Sequence, residues 1–149
     1  GVNGNGQMYG RYQVRFRADE IAGYKTAWML WPDSNISPRD GEIDFPEADL
    51  NTPIIGYLHH QGATAGNDQD YWPTPATYNS WHTATITRMP GYVQFALDGN
   101  VIGTSTSRLP NTPMHWILQT ETSTYGVTPA NSTYGWIQIA WVTAYAPTG

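Results

Sequence analysis

The chain contains no cysteine. That excludes disulfides and thiolate metal sites, and leaves the compartment open, because many secreted bacterial enzymes also lack cysteine. Charge is sparse as well: Asp, Glu, Lys and Arg make up 13% of the 149 residues, against about 25% in an ordinary soluble domain. The net charge is −5 and the isoelectric point about 5.1, with no run of like charges. Nucleic acid and anionic membrane are therefore not expected partners, since both call for a basic footprint. No apolar stretch approaches the ~20 residues of a membrane helix. No signal peptide is recognisable, so the sequence reads as a mature or trimmed product. Its length suggests a single domain over residues 1–149.

Aromatic residues are abundant: seven Trp, ten Tyr and three Phe. Such a surplus either packs a core or is displayed to a ligand, and sugar rings stack well on indole and phenol faces. Fifteen Gly and eleven Pro punctuate the chain. Between them lie short segments rich in Tyr, Trp, Val, Ile and Thr, the pattern of strands and turns. Tyr12, Val14 and Phe16 alternate with Gln13, Arg15 and Arg17, giving one apolar and one wet face. Further strands are expected at 42–47, 54–60, 81–88, 92–97, 101–102, 114–121 and 136–145, and Asp98-Gly99-Asn100 predicts a hairpin turn. No helix is predicted beyond one short turn within 19–24. Residues 62–80 read as the longest loop, carrying two exposed rings, Tyr71 and Trp72, and 125–134 as a second. The expected fold is an all-β, antiparallel β-sandwich. Asn35-Ile36-Ser37 and Asn131-Ser132-Thr133 match the short glycosylation acceptor pattern and carry little weight.

The densest chemical signal is Gly41-Glu42-Ile43-Asp44-Phe45-Pro46-Glu47. Alternation puts Glu42 and Asp44 on one face of a strand. A single bulge residue would restore Glu47 to that face, and Pro46, which cannot donate to a ladder, suits a bulge. Three clustered carboxyl groups fit glycoside hydrolysis, in which one attacks the anomeric carbon and another protonates the leaving oxygen. The same cluster also fits a hard cation bound through oxygen, or a solvated acidic face.

The motif Glu42-Ile43-Asp44-Phe45-Pro46-Glu47 resembles the Glu-x-Asp-x-x-Glu signature of glycoside hydrolase family 16, in the bulged form of its laminarinase-like members. Met8-Tyr9-Gly10-Arg11-Tyr12, Ala27-Trp28-Met29-Leu30, Gly56-Tyr57-Leu58-His59, Trp81-His82-Thr83, Phe95-Ala96-Leu97-Asp98-Gly99 and Ile139-Ala140-Trp141-Val142 resemble further family segments in the same order. The resemblance implies a concanavalin A-like jelly roll with a sugar cleft. It implies Glu42 as nucleophile, Glu47 as acid/base and Asp44 as supporting acid, in a retaining hydrolase of β-1,3- or mixed-linkage β-glucan. Trp28 would be a sugar platform, with Tyr24 where relatives often have another Trp. His59 would face the cleft, in a structural or a substrate-binding role. Gln119 would contact substrate, and Glu121 would add a fourth acid on the same face. Trp81 and His82 are expected to pack at a strand start.

The partner implied is a polysaccharide, met as a monomer in a secreted, extracellular setting, with no required cofactor. A structural calcium on the convex face occurs in many relatives, but no residue here can be assigned to it. Relatives also carry strands before the Tyr-Gly-Arg-Tyr segment. Their absence from the sequence leaves edge strands expected to be unstable alone, so the chain is either a fragment or a minimal version. Alternatives on the same fold are a non-catalytic carbohydrate-binding module, a transglycosylase, or a β-galactan hydrolase.

Overall fold

A computed structural model describes residues 5–147. Ten strands run in chain order: β1 (Gly10–Ala18), β2 (Tyr24–Pro32), β3 (Glu42–Asp49), β4 (Ile55–His59), β5 (Gln69–Pro73), β6 (His82–Met89), β7 (Tyr92–Leu97), β8 (Asn100–Ser105), β9 (Met114–Thr122) and β10 (Ile137–Tyr145). They form two five-stranded antiparallel sheets, ordered β10-β1-β6-β7-β8 and β5-β4-β3-β2-β9. No helix occurs among the described residues, and hence none long and apolar enough to cross a membrane. The all-β sandwich expected from the sequence is the observed fold.

Alternation drives the packing. Tyr12, Val14, Phe16 and Ala18 of β1 turn inward and are buried. They meet Thr26, Trp28 and Leu30 of β2, Ile43 and Phe45 of β3, and Leu58 of β4. Edge-to-face ring pairs lie within this layer, Phe16 with Trp28 at 5.4 Å between centroids and Phe45 with Phe95 at 5.6 Å. Arg88, also buried, donates to the carbonyls of Pro110 (2.7 Å) and Thr112 (2.9 Å), tying the segment before β9 to β6. The hairpin between β7 and β8 turns where the sequence predicts, with Asp98 at φ 52° and Gly99 at φ 81°. Two consecutive left-handed residues match the twist of the flanking strands.

One expectation is corrected. Residues 62–80 are not loop throughout, because β5 lies within them, and Trp72 is not an exposed ring. Tyr71 is outward and exposed, whereas Trp72 turns in and packs against the core. It lies over Gly103, where an added Cβ would run into the indole. The acidic and proline residues around Tyr71-Trp72 mask a strand that is only five residues long.

At the other end of the sandwich β9 and β10 are each paired on one side only among the described residues. Ile139 and Val142 of β10 are 44% and 49% exposed, unlike the inward Phe16 and Val14 of β1 beside them.

Candidate active site

The carboxylate strand is the second-sheet strand β3. It pairs with β4 as Glu42↔His59, Asp44↔Tyr57 and Glu47↔Ile55. Three residues on β3 therefore span two on β4. The same offset appears against β2, where Asp44 faces Met29 and Glu47 faces Ala27. The extra residue is a bulge at Phe45-Pro46. It carries Glu47 to the outer face that Glu42 and Asp44 already share, while Ile43, Phe45 and Ala48 remain in the core.

Asp44 sits between the two glutamates and is 1% exposed. Neither of its oxygens has a hydrogen-bond partner of good geometry. His59 Nε2 lies 3.2 Å from Oδ2 but out of line. Burial pushes the Asp44 pKa well above the ordinary carboxyl value, and the charges of Glu42 and Glu47 push it further in the same direction, outweighing Lys25. That shift favours the protonated carboxyl, which can donate a hydrogen bond where a carboxylate cannot. Glu42 is held on its other side by Ser37, whose hydroxyl donates to Oε2 at 3.1 Å.

Glu47 is held differently. Lys25 Nζ donates to its Oε1 at 2.7 Å and lies 4.0 Å from Glu121 Oε1. Burial disfavours the Lys25 ammonium, but the hydrogen bond and charge of Glu47, with Glu121 and Asp44, raise its pKa overall. Gln119 donates to Glu121 Oε2 at 2.9 Å. Gln119 and Glu121 pair with Ala27 and Lys25 of β2, on the carboxylate face. The structure thus brings together Glu42, Asp44, Glu47, His59, Gln119 and Glu121.

Two expected contacts do not face this site. Trp28 alternates inward with Thr26 and Leu30, is 1% exposed and meets Phe16 edge to face, so it belongs to the core and is not a sugar platform. Tyr24 has the same parity and packs against the core. Its ring lines an apolar hollow of about 330 Å³ with Ile21, Leu50, Trp136 and Ile137, between the sheets and away from the carboxyl groups. The outward residues of β2 are instead Lys25, Ala27, Met29 and Trp31, which face Glu121, Gln119, Ile117 and His115 of β9. Sequence reasoning missed Lys25, Trp31 and Ser37. Strand parity counted from the buried Leu30 would have selected Lys25 and Trp31. Tyr57 and Tyr71, 5.5 Å apart, add two rings at the far side of the same face.

Among the described residues, Glu42, Asp44 and His59 are the one group of three His, Asp or Glu side chains close enough to share an ion, within 4.8 Å of one another. They lie on the carboxylate face.

The sequence profile described as Glycosyl hydrolases family 16 matches residues 4–143. The chain belongs to glycosyl hydrolases family 16. A β-glucanase of Paenibacillus polymyxa is 20% identical over 143 residues, covering 90% of this chain and 60% of that protein. The family 16 chain thus spans about three fifths of that relative's length. The laminarinase of Rhodothermus marinus superposes with a TM-score of 0.80 at 21% identity, over 94% of this chain and 66% of its own. The catalytic domain of an endo-1,3-β-glucanase (laminarinase) from Thermotoga petrophila gives 0.79 at 17% identity, over 99% and 67%. The profile match fixes the family, and the structural likenesses show the jelly-roll sandwich.

Proposed function

We propose that this chain carries the catalytic face of a retaining glycoside hydrolase acting within β-1,3- or mixed-linkage β-glucan chains. The observation that carries the reading is the bulge at Phe45-Pro46, which sets Glu42, Asp44 and Glu47 on one face with the buried Asp44 carboxyl between two glutamates.

In the first step a Glu42 carboxylate oxygen bonds to the anomeric carbon as the glycosidic C–O bond breaks. The leaving oxygen takes its proton from Glu47. In the second, Glu47 accepts a proton from water, the water oxygen bonds to the anomeric carbon, and Glu42 departs. Two displacements retain the β configuration. Ser37 holds Glu42 in place. Asp44 donates towards Glu42 without adding a charge beside it. Lys25 occupies Glu47 Oε1, leaving Oε2 for the substrate. The displacement needs no cofactor.

Trp31, Tyr57 and Tyr71 supply ring faces across the sheet, and the open sheet face suits the interior of a long chain. A polymer substrate also suits a protein that works outside the cell. The relative's β-glucanase name supports glucan as the sugar. All three acids are present, which speaks against a purely binding role.

Reducing-sugar release from laminarin, mixed-linkage β-glucan and a β-galactan, with Glu42→Gln alongside, tests this. Release from the glucans that vanishes in the variant is expected. Release that persists in Glu42→Gln, or binding without release by the wild type, contradicts it.

A further inference from the structure

The opposite sheet carries a second charged surface that the proposed chemistry does not use. The chain has seven Lys and Arg residues. Lys25, Arg39 and Arg108 are paired with Glu47, Asp40 and Asp68. Arg88 is buried against carbonyls. The remaining three, Arg11, Arg15 and Arg17, all point outward from one strand, β1. None has a carboxylate within ion-pair distance among the described residues. In a protein of net charge −5, every free cationic side chain thus lies on one line, with neighbouring charges about 13 Å and about 7 Å apart.

Rings and polar groups flank that line. Trp81, 38% exposed, lies beside the guanidinium groups of Arg15 and Arg17, at 5.7 and 6.0 Å from its ring centroid. Across the other border, β10 pairs Trp141 with Arg15 and Tyr145 with Arg11, and these rings are 41% and 56% exposed. Between them runs a ladder of hydroxyl and amide groups: Gln13 donates to Thr85 at 3.1 Å and Arg15 to Thr83 at 3.3 Å. Asp98, at the margin, is occupied by His82 and the Thr83 amide.

We infer that the outer face of β10, β1 and β6 is a second glycan-binding surface, which takes a carboxylate-bearing polysaccharide. Guanidinium groups pair with carboxylates in forked geometry. The rings offer stacking faces for sugar, and the Thr and Gln side chains offer partners for hydroxyls. Charge complementarity selects the acidic polymer over a neutral one. Nucleic acid fits poorly, because duplex DNA presents a charge about every 1.7 Å along its axis and only three cations answer it here. The surface stands independently of the carboxylate face, which is acidic and suits a neutral chain. The molecule would hold an acidic matrix polymer on one sheet while the other works on glucan.

Retardation in native gels containing polygalacturonate tests the inference, with fully methyl-esterified polygalacturonate, duplex DNA and phosphatidylserine vesicles as parallel arms. The wild type should be retarded by the free acid and not by the ester, with the effect weakening as salt rises. Substituting Arg11→Gln, Arg15→Gln and Arg17→Gln together should weaken retardation at least tenfold, with an unchanged melting curve and unchanged hydrolysis of a soluble neutral glucan oligomer. Trp141→Ala, which keeps every charge, should weaken it severalfold. No retardation of the wild type, equal retardation of the triple variant, or binding to the ester, DNA or vesicles as tight as to the acid would each overturn it.

Discussion

Replacing Trp28 separates a core role from a sugar-binding one. Its side chain is 1% exposed and its ring stands 5.4 Å from Phe16. Truncation of a buried Trp to Ala removes about 3–5 kcal/mol, from a total that for ordinary domains is about 5–15 kcal/mol. At ~2–4 °C per kcal/mol for a chain of this size, Trp28→Ala should lower the melting midpoint by about 6–20 °C. Trp28→Phe should be far milder. The indole N–H has no hydrogen-bond partner in the protein, and an unpaired buried donor costs about 1–3 kcal/mol. Phe gives up ring volume but also removes that donor.

The assay is thermal denaturation followed by circular dichroism, run beside glucan hydrolysis at a temperature where each variant is folded. Folded Trp28→Phe should keep the KM of the wild type. Trp31→Ala is the counterpart: its ring is on the carboxylate face, opposite His115, so it should raise KM while moving the melting midpoint little. A Trp28→Ala chain that melts within about 1 kcal/mol of the wild type yet loses polymer affinity would refute the placement.

Asp44 links the site to stability. Its folded pKa is raised above the ordinary value of 3.8, so folding takes up a proton, and stability falls as pH rises from near 3.8 through the folded pKa. Asp44→Asn cannot ionise. It should gain stability over the wild type above that window, gain none below it, and lose activity, as melting curves across pH and rate measurements would show. Lys25→Met should release Glu47 from its 2.7 Å contact and lower kcat about ten- to a hundredfold through lost positioning, with KM little changed. An unaltered kcat would remove Lys25 from the site.

The carboxylate cluster was legible because its evidence is local. Alternation, one proline and a run of seven residues lead to the bulge, and the register of β3 against β2 and β4 contains it. The Asp98-Gly99 hairpin was legible for the same reason. Trp28 and Tyr24 were misplaced because the face a ring occupies is set by the neighbouring strands, and the resemblance to relatives carries residue type without parity. Lys25 and Ser37 reach the glutamates across 22 and five residues of chain, through pairings that no motif encodes. Trp72 was misread because its inward turn depends on Gly103, 31 residues away.

The most direct measurement of the central claim is proton NMR of the anomeric region during the first minutes of glucan cleavage. Double displacement at Glu42 predicts that the newly formed reducing end appears first as the β-anomer and mutarotates later. Initial appearance of the α-anomer would show inversion, and Glu42 could not then be the nucleophile.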